Sequence, residues 1–125
     1  MSGEAGTKRI RVMHVEDHPD FRDLMEILLG GQSDINLVAQ AGSLVEARAQ
    51  AERCEFDVAV LDLGLPDGDG GDLISDLRRA NPDVGVLILS ANLDAANIES
   101  AADEVMDKLA PLDEVLSTVR RLGNA

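Results

Sequence analysis

Residues 56–71, FDVAVLDLGLPDGDGG, decide the fold. Val58-Ala59-Val60-Leu61 is an apolar run of strand length. It stops at Asp62, and Gly64, Pro66, Gly68, Gly70 and Gly71 then crowd the chain with turn-formers. The pattern predicts a buried strand with Asp62 at its carboxyl end. In an open parallel α/β sheet that edge is where ligands bind, because the loops leaving the strands form a crevice there. Gly64, without a side chain, lets backbone approach whatever Asp62 holds. The plainer alternative is that Asp62 merely begins an acidic surface loop, so the other strands must decide.

Working outward, the chain alternates. Ile10 to Val15 reads as a first strand, closed by the polar cluster Glu16-Asp17-His18-Pro19. Pro19 suits the first turn of a helix whose apolar positions Phe21, Leu24, Met25 and Leu28 follow helical spacing until Gly30-Gly31. Ile35 to Ala41 is a second strand. Ser43 and Glu46 form a capping box for a helix running to about Glu52, with Leu44 and Ala47 facing inward. After the third strand, Asp72 favours the start of a helix whose stripe is Leu73, Ile74 and Leu77, with Arg78-Arg79 in its last turn. Val84 to Leu89, apolar almost throughout, predicts an interior fourth strand ending at Ser90. A short Ala-rich helix from about Asp94 and a fifth strand, Val105 to Lys108, follow. Pro111 opens a last helix carrying Leu112, Val115, Leu116, Val119 and Leu122. Strands alternating with single helices predict a three-layer, doubly wound α/β fold: a five-stranded parallel sheet with helices on both faces.

Composition bounds the function. At 125 residues, 45% hydrophobic and 28% charged, the chain reads as one globular domain. With 24 acidic against 11 basic residues the net charge is -13, which repels a phosphate backbone and argues against direct nucleic-acid binding. The same charge favours cations and basic partner surfaces. One cysteine, Cys54, excludes an internal disulfide and fits a reducing cytoplasm. No apolar run approaches membrane-spanning length, and residues 1–8 are small and polar. We therefore expect a cytoplasmic protein without membrane contact, a flexible tail over 1–8 and a domain over 9–123.

The polar residues coincide on that sheet. Glu16 and Asp17 end strand one, Asp62 strand three, Ser90 strand four and Lys108 strand five, all at one edge. Three carboxylates within several ångström repel by about 1 kcal/mol or more per pair, so the cluster wants a cation. Hard oxygen ligands favour Mg²⁺ or Mn²⁺ over zinc. Three carboxylates against one ammonium leave two negative charges, which one divalent cation cancels. A neutralised Asp62 can then meet an anionic phosphoryl group as a nucleophile. Rival motifs fail. Asp67-Gly68-Asp69 resembles the opening of a calcium loop, but the twelfth position, which needs glutamate, is Arg78. The glycines lack the order of a dinucleotide turn, and there is no Gly-x-Ser-x-Gly elbow. His14 reads as a core histidine with a local hydrogen bond, His18 as an exposed helix-start residue and Cys54 as inert.

Glu16-Asp17-His18-Pro19, the LDLGLPDGDG loop, Ser90-Ala91 and Lys108, in that order and on those elements, resemble the receiver domain of two-component response regulators. The resemblance covers Arg9 to about Leu122. It implies the flavodoxin-like strand order 2-1-3-4-5. It implies that Asp62 is the phosphoacceptor, taking a phosphoryl group from a phosphohistidine on a histidine kinase or histidine phosphotransfer protein. Asp17, Asp62 and the Gly64 carbonyl would bind Mg²⁺ directly, with Glu16 acting through water. Lys108, the Ser90 hydroxyl and the Ala91 amide would hold the phosphoryl oxygens, and the modified domain would switch a downstream protein or output domain. Its only chemistry would be on itself, by positioning and charge neutralisation without a general base.

Two features depart from the family pattern. The usual aromatic residue three positions before the lysine is Val105, and Ser90 lies only 18 residues before Lys108, about one helical turn less than usual. A short fourth helix, more mobile than the rest of the fold, is the expectation. Two rivals follow: a degenerate receiver that only binds partners, and a small Mg²⁺-dependent phosphatase working through an aspartyl-phosphate. The phosphatase typically needs a second aspartate two residues after its nucleophile, where this chain has Gly64, and an inserted cap for which there is no room.

Overall fold

The computed structural model describes residues 9–62, 70–91 and 102–124. Five strands, β1 (Ile10–Val15), β2 (Ile35–Ala41), β3 (Val58–Leu61), β4 (Gly85–Ser90) and β5 (Glu104–Asp107), form one parallel sheet in the order β2-β1-β3-β4-β5. The described residues contain four helices: α1 (Pro19–Gly30), α2 (Leu44–Arg53), α3 (Gly70–Ala80) and α4 (Leu112–Gly123).

The period of two along each strand sorts the core into two layers. Met13, Val15, Ala59, Leu61, Val86 and Ile88 point to one face, where they meet Leu44 and Ala47 of α2 and Leu73, Ile74 and Leu77 of α3. Val12, Val58, Val60, Leu87 and Leu89 point to the other, against Met25 and Leu29 of α1 and Val115, Leu116 and Val119 of α4. β3 and β4 are buried along their whole length because both faces are covered and both edges are paired.

Local chemistry sets the ends. His18 is the N-cap of α1 in extended geometry with Pro19 following, where a missing N–H costs nothing. The Ser43 hydroxyl accepts from the Glu46 N–H at 3.2 Å, and the Glu46 carboxylate turns back to accept from Gly42 N–H at 2.9 Å. β4 begins one residue later than expected, at Gly85, whose N–H donates to Asp57 O across the sheet at 2.9 Å, while Val84 is still bonded to the turn at Asn81. A Cβ on Gly85 would stand 2.9 Å from Leu122 Cβ, so glycine lets α4 pack close. β5 ends one residue earlier than expected, at Asp107. Leu24 and Leu112, expected on apolar stripes, are 41% and 37% exposed, because Met25 and Leu29 on α1 and Val115 and Val119 on α4 take the faces toward the sheet. The Ala-rich helix expected from Asp94, with its expected mobility, lies outside the described residues, as do the tail 1–8 and Gly64.

Candidate functional site

Strand ends build the site. Asp62 follows β3 directly, and its N–H donates to Val15 O at 3.0 Å, which continues the ladder with β1. Glu16 follows β1 and donates to Ala41 O at 2.9 Å. Lys108 follows β5, and its backbone N–H donates to Ser90 O at 3.0 Å, so the last residue of β4 is tied to the lysine that carries charge into the site. Asp17 and His18 fill the gap between β1 and α1.

Lys108 is the hub. Its Nζ lies 2.9 and 3.0 Å from the two oxygens of Glu16 and 3.3 Å from Asp62 Oδ2. The Glu16 side chain is fully buried, Asp62 is 7% exposed and Ser90 3%. The Glu16 carboxylate also accepts from the His18 N–H at 3.2 Å. Burial raises the Glu16 carboxyl above its ordinary value, against the opposing pull of its hydrogen bond to Lys108. Burial works against the Lys108 ammonium too, but the hydrogen bond to Glu16 and the charges of Glu16 and Asp62 outweigh it and hold the lysine above its ordinary value. The two shifts have different roots: burial disfavours the charged carboxylate of Glu16, while the surrounding carboxylates favour the charged ammonium of Lys108.

The donor set fits a hard cation. Glu16 Oε1 and Asp17 Oδ1 are buried without a hydrogen-bond partner; Glu16 Oε1 has only the ion pair to Lys108, out of hydrogen-bond alignment. A buried carboxylate oxygen left unbonded is costly unless an ion takes it. Ligand atoms of Glu16, Asp17 and His18 lie within 4.8 Å of one another. The His18 ring, read from the sequence as merely exposed, has Nδ1 3.7 Å from Glu16 and 3.6 Å from Asp17, beyond hydrogen-bond length.

A second layer holds the acidic pair. Arg22 donates to the Glu16 carbonyl at 2.9 Å. The Gln40 amide reaches from β2 to the Arg22 carbonyl at 3.0 Å and to His14 Nδ1 at 3.2 Å. Since that amide nitrogen can only donate, Nδ1 accepts and the proton sits on Nε2. Burial, aided by the charges of Lys108 and Arg22, drives His14 down to about 4, so it is neutral near pH 7. This is the core histidine with a local hydrogen bond that the sequence suggested. The sequence reading missed Arg22, Gln40 and Phe21. Phe21 lies one helical turn after Asp17, and its ring centroid is 4.9 Å from Lys108 Nζ. With Val105 where an aromatic was expected, the scarcity of rings in the chain, only Phe21 and Phe56, was the signal available. Lys108, Ala91, Phe21, Leu24, His18 and Asp20 line a shallow cavity of about 440 Å³ beside the carboxylates. Among the described residues no helix is long and apolar enough to cross a membrane.

Comparison with known proteins identifies the family and the fold. The family model described as response regulator receiver domain matches residues 12–120. The DNA-binding transcriptional activator DevR/DosR of Mycobacterium tuberculosis is 42% identical over 82 residues, covering 66% of this chain and 38% of that protein. The response regulator protein PilR of Pseudomonas aeruginosa is 33% identical over 123 residues, covering 93% of this chain and 27% of PilR. The chain thus spans well under half the length of these relatives. Among solved structures, the response regulator domain of Thermotoga maritima CheB superposes with a TM-score of 0.83 at 22% identity, covering 94% of this chain and 98% of that one. The T. maritima response regulator TrrA, solved in complex with Mg(2+)-BeF, gives 0.78 at 25% identity, covering 90% and 98%. The strand order, the match along nearly the whole chain and these relatives together make the chain a member of the response regulator receiver domain family of two-component systems.

Proposed function

We propose that this receiver domain accepts a phosphoryl group onto Asp62 from a phosphohistidine on a histidine kinase or histidine phosphotransfer protein, and that the modified domain switches a downstream protein or output domain. The observation that carries the reading is the buried placement of Lys108 Nζ between Glu16 and Asp62, 2.9 Å from one and 3.3 Å from the other. A carboxylate that already shares an ammonium is prepared to receive an anion, because the lysine can follow the negative charge onto the incoming oxygens.

A carboxylate oxygen of Asp62 attacks phosphorus, and the P–N bond to the donor imidazole, protonated on its other ring nitrogen, breaks with its electron pair going to nitrogen, so the donor ring departs as neutral imidazole keeping that proton. Lys108 meets the negative oxygens of the transferring group. Ser90, at the end of β4, supplies a hydroxyl to one of them and Ala91 a backbone N–H. Asp17 and Asp62, with the Gly64 carbonyl, would hold Mg²⁺, and Glu16 would act on it through water. When bound, that cation screens the carboxylates and orients the phosphoryl oxygens. Glu16 has a second task visible in the geometry: it holds Lys108 at the site. The domain occupies residues 9–123 and works in the cytoplasm; its partners are proteins, and its net negative charge leaves nucleic-acid contact to other parts of a regulator. The domain is regulatory, and its chemistry is its own phosphorylation and dephosphorylation.

The test is incubation with Mg²⁺ and acetyl phosphate followed by intact mass measurement. One added phosphoryl group, absent in Asp62→Asn, is the expected result. Steady phosphate release without a phosphorylated protein would point to a phosphatase, and no reaction at all to a receiver that only binds partners.

A further inference from the structure

Phe21 belongs to no part of the mechanism above, yet its position bears on the group at the centre of it. The ring stands 4.9 Å from Lys108 Nζ. Its other neighbour is His14, whose ring centroid lies 6.3 Å away at a tilt of 56°, and His14 is fixed in turn through Gln40 to the Arg22 carbonyl. Phe21 therefore neighbours a buried, hydrogen-bonded ring and has over its own ring the ammonium of a lysine that is only 15% exposed. Besides the two carboxylates, the ammonium has beside it the cavity that Lys108 and Phe21 line together. An aromatic face there attracts the ammonium electrostatically without offering a competing hydrogen-bond acceptor.

We propose that Phe21 is a positioning residue for the phosphoryl reaction: its ring holds the Lys108 ammonium by a cation–π contact in the place from which it serves Asp62. The proposal rests on the reading of Asp62 as phosphoacceptor. A cation–π contact is worth about 1 kcal/mol, about fivefold in rate if it is lost in the transition state.

Two arms test it on the folded domain. In the first, initial rates of phosphorylation by acetyl phosphate at saturating Mg²⁺ are compared for the native protein, Phe21→Leu and Phe21→Tyr. We expect Phe21→Leu to react about fivefold more slowly and Phe21→Tyr to stay within about twofold of native. In the second, proton NMR without phosphodonor reads the Lys108 ε-methylene shift, which the ring current moves upfield in the native protein and in Phe21→Tyr but not in Phe21→Leu. Equal rates for native and Phe21→Leu overturn the proposal, as does a Phe21→Tyr protein as slow as Phe21→Leu, since packing rather than the aromatic face would then be at work. An unshifted methylene in the native protein overturns the contact itself. If the native protein takes no phosphoryl group while the methylene is shifted, the failure lies with Asp62 as acceptor and not with the ring.

Discussion

Replacing Lys108 by methionine removes the charge at the hub and keeps most of the stem. Glu16 then remains with a fully buried carboxylate whose oxygens have lost the ammonium 2.9 and 3.0 Å away, and Asp62 loses its contact at 3.3 Å. Two unit charges about 3 Å apart attract by about 5 kcal/mol at an effective dielectric of about 20. Because the ammonium was itself desolvated, only part of that shows as stability. Removing one partner of a buried pair costs about 3–5 kcal/mol, whereas exposed pairs cost less than about 1 kcal/mol. With Lys108 15% exposed and Glu16 not at all, the lower end of the buried range, about 3 kcal/mol, is expected. The assay is urea unfolding at neutral pH in EDTA, reading the midpoint at unchanged slope. The partner variant is Glu16→Gln with Lys108→Met: with both charges gone, most of the loss should return. A Lys108→Met loss below about 1 kcal/mol, or a double variant worse than the sum of the singles, would refute the account of Lys108 as a buried counter-ion.

Mg²⁺ should raise the melting temperature in proportion to the logarithm of its concentration, as for any ligand that binds only the folded state. Asp17→Asn should abolish that rise with little change in EDTA, since Asp17 Oδ1 has no protein hydrogen bond to lose; thermal melts in both media check it. Gly85→Ala places a Cβ 2.9 Å from Leu122 Cβ and should cost about 1–3 kcal/mol in urea unfolding, because neither the strand nor the helix backbone can yield easily. Arg120 donates to both oxygens of Asp34 at 2.7 and 3.2 Å, which holds that carboxyl below its ordinary value. A carboxyl depressed on folding contributes stability above its unfolded value, lost as pH falls through the folded one. Arg120→Met should therefore be less stable than native near neutral pH, and the two unfolding curves should converge in acid.

The sheet was legible because each strand must feed two layers. In β1, Val12 goes to one core and Met13 to the other, and β3 does the same with Val58 and Ala59, so short continuous apolar runs closed by polar residues marked β1, β2 and β3 at their observed bounds. The ends of β4 and β5 moved by one residue because they are set by ladder bonds, Gly85 to Asp57 and Lys108 to Ser90, that depend on register and not on hydropathy. Leu24 and Leu112 misled because helical spacing defines a stripe but not how much of its margin the sheet covers. At the site, strand ends alone were enough to gather Glu16, Asp17, Asp62, Ser90 and Lys108 at one edge. That Lys108 sits closer to Glu16 than to Asp62 depends on side-chain placement, and that Phe21 faces it depends on how α1 lies on the sheet, neither of which periodicity encodes. Gly64 lies outside the described residues, so the carbonyl expected of it stays part of the proposal.

The central claim is that one carboxylate, Asp62, becomes covalently modified. The direct measurement is transfer from a phosphohistidine donor in Mg²⁺, trapping of the acyl phosphate with borohydride, and peptide sequencing by mass spectrometry. Reduction of an aspartyl phosphate leaves homoserine, and the account predicts homoserine at position 62 and nowhere else. Homoserine at another aspartate, or a fully native sequence after exposure to the donor, would contradict it.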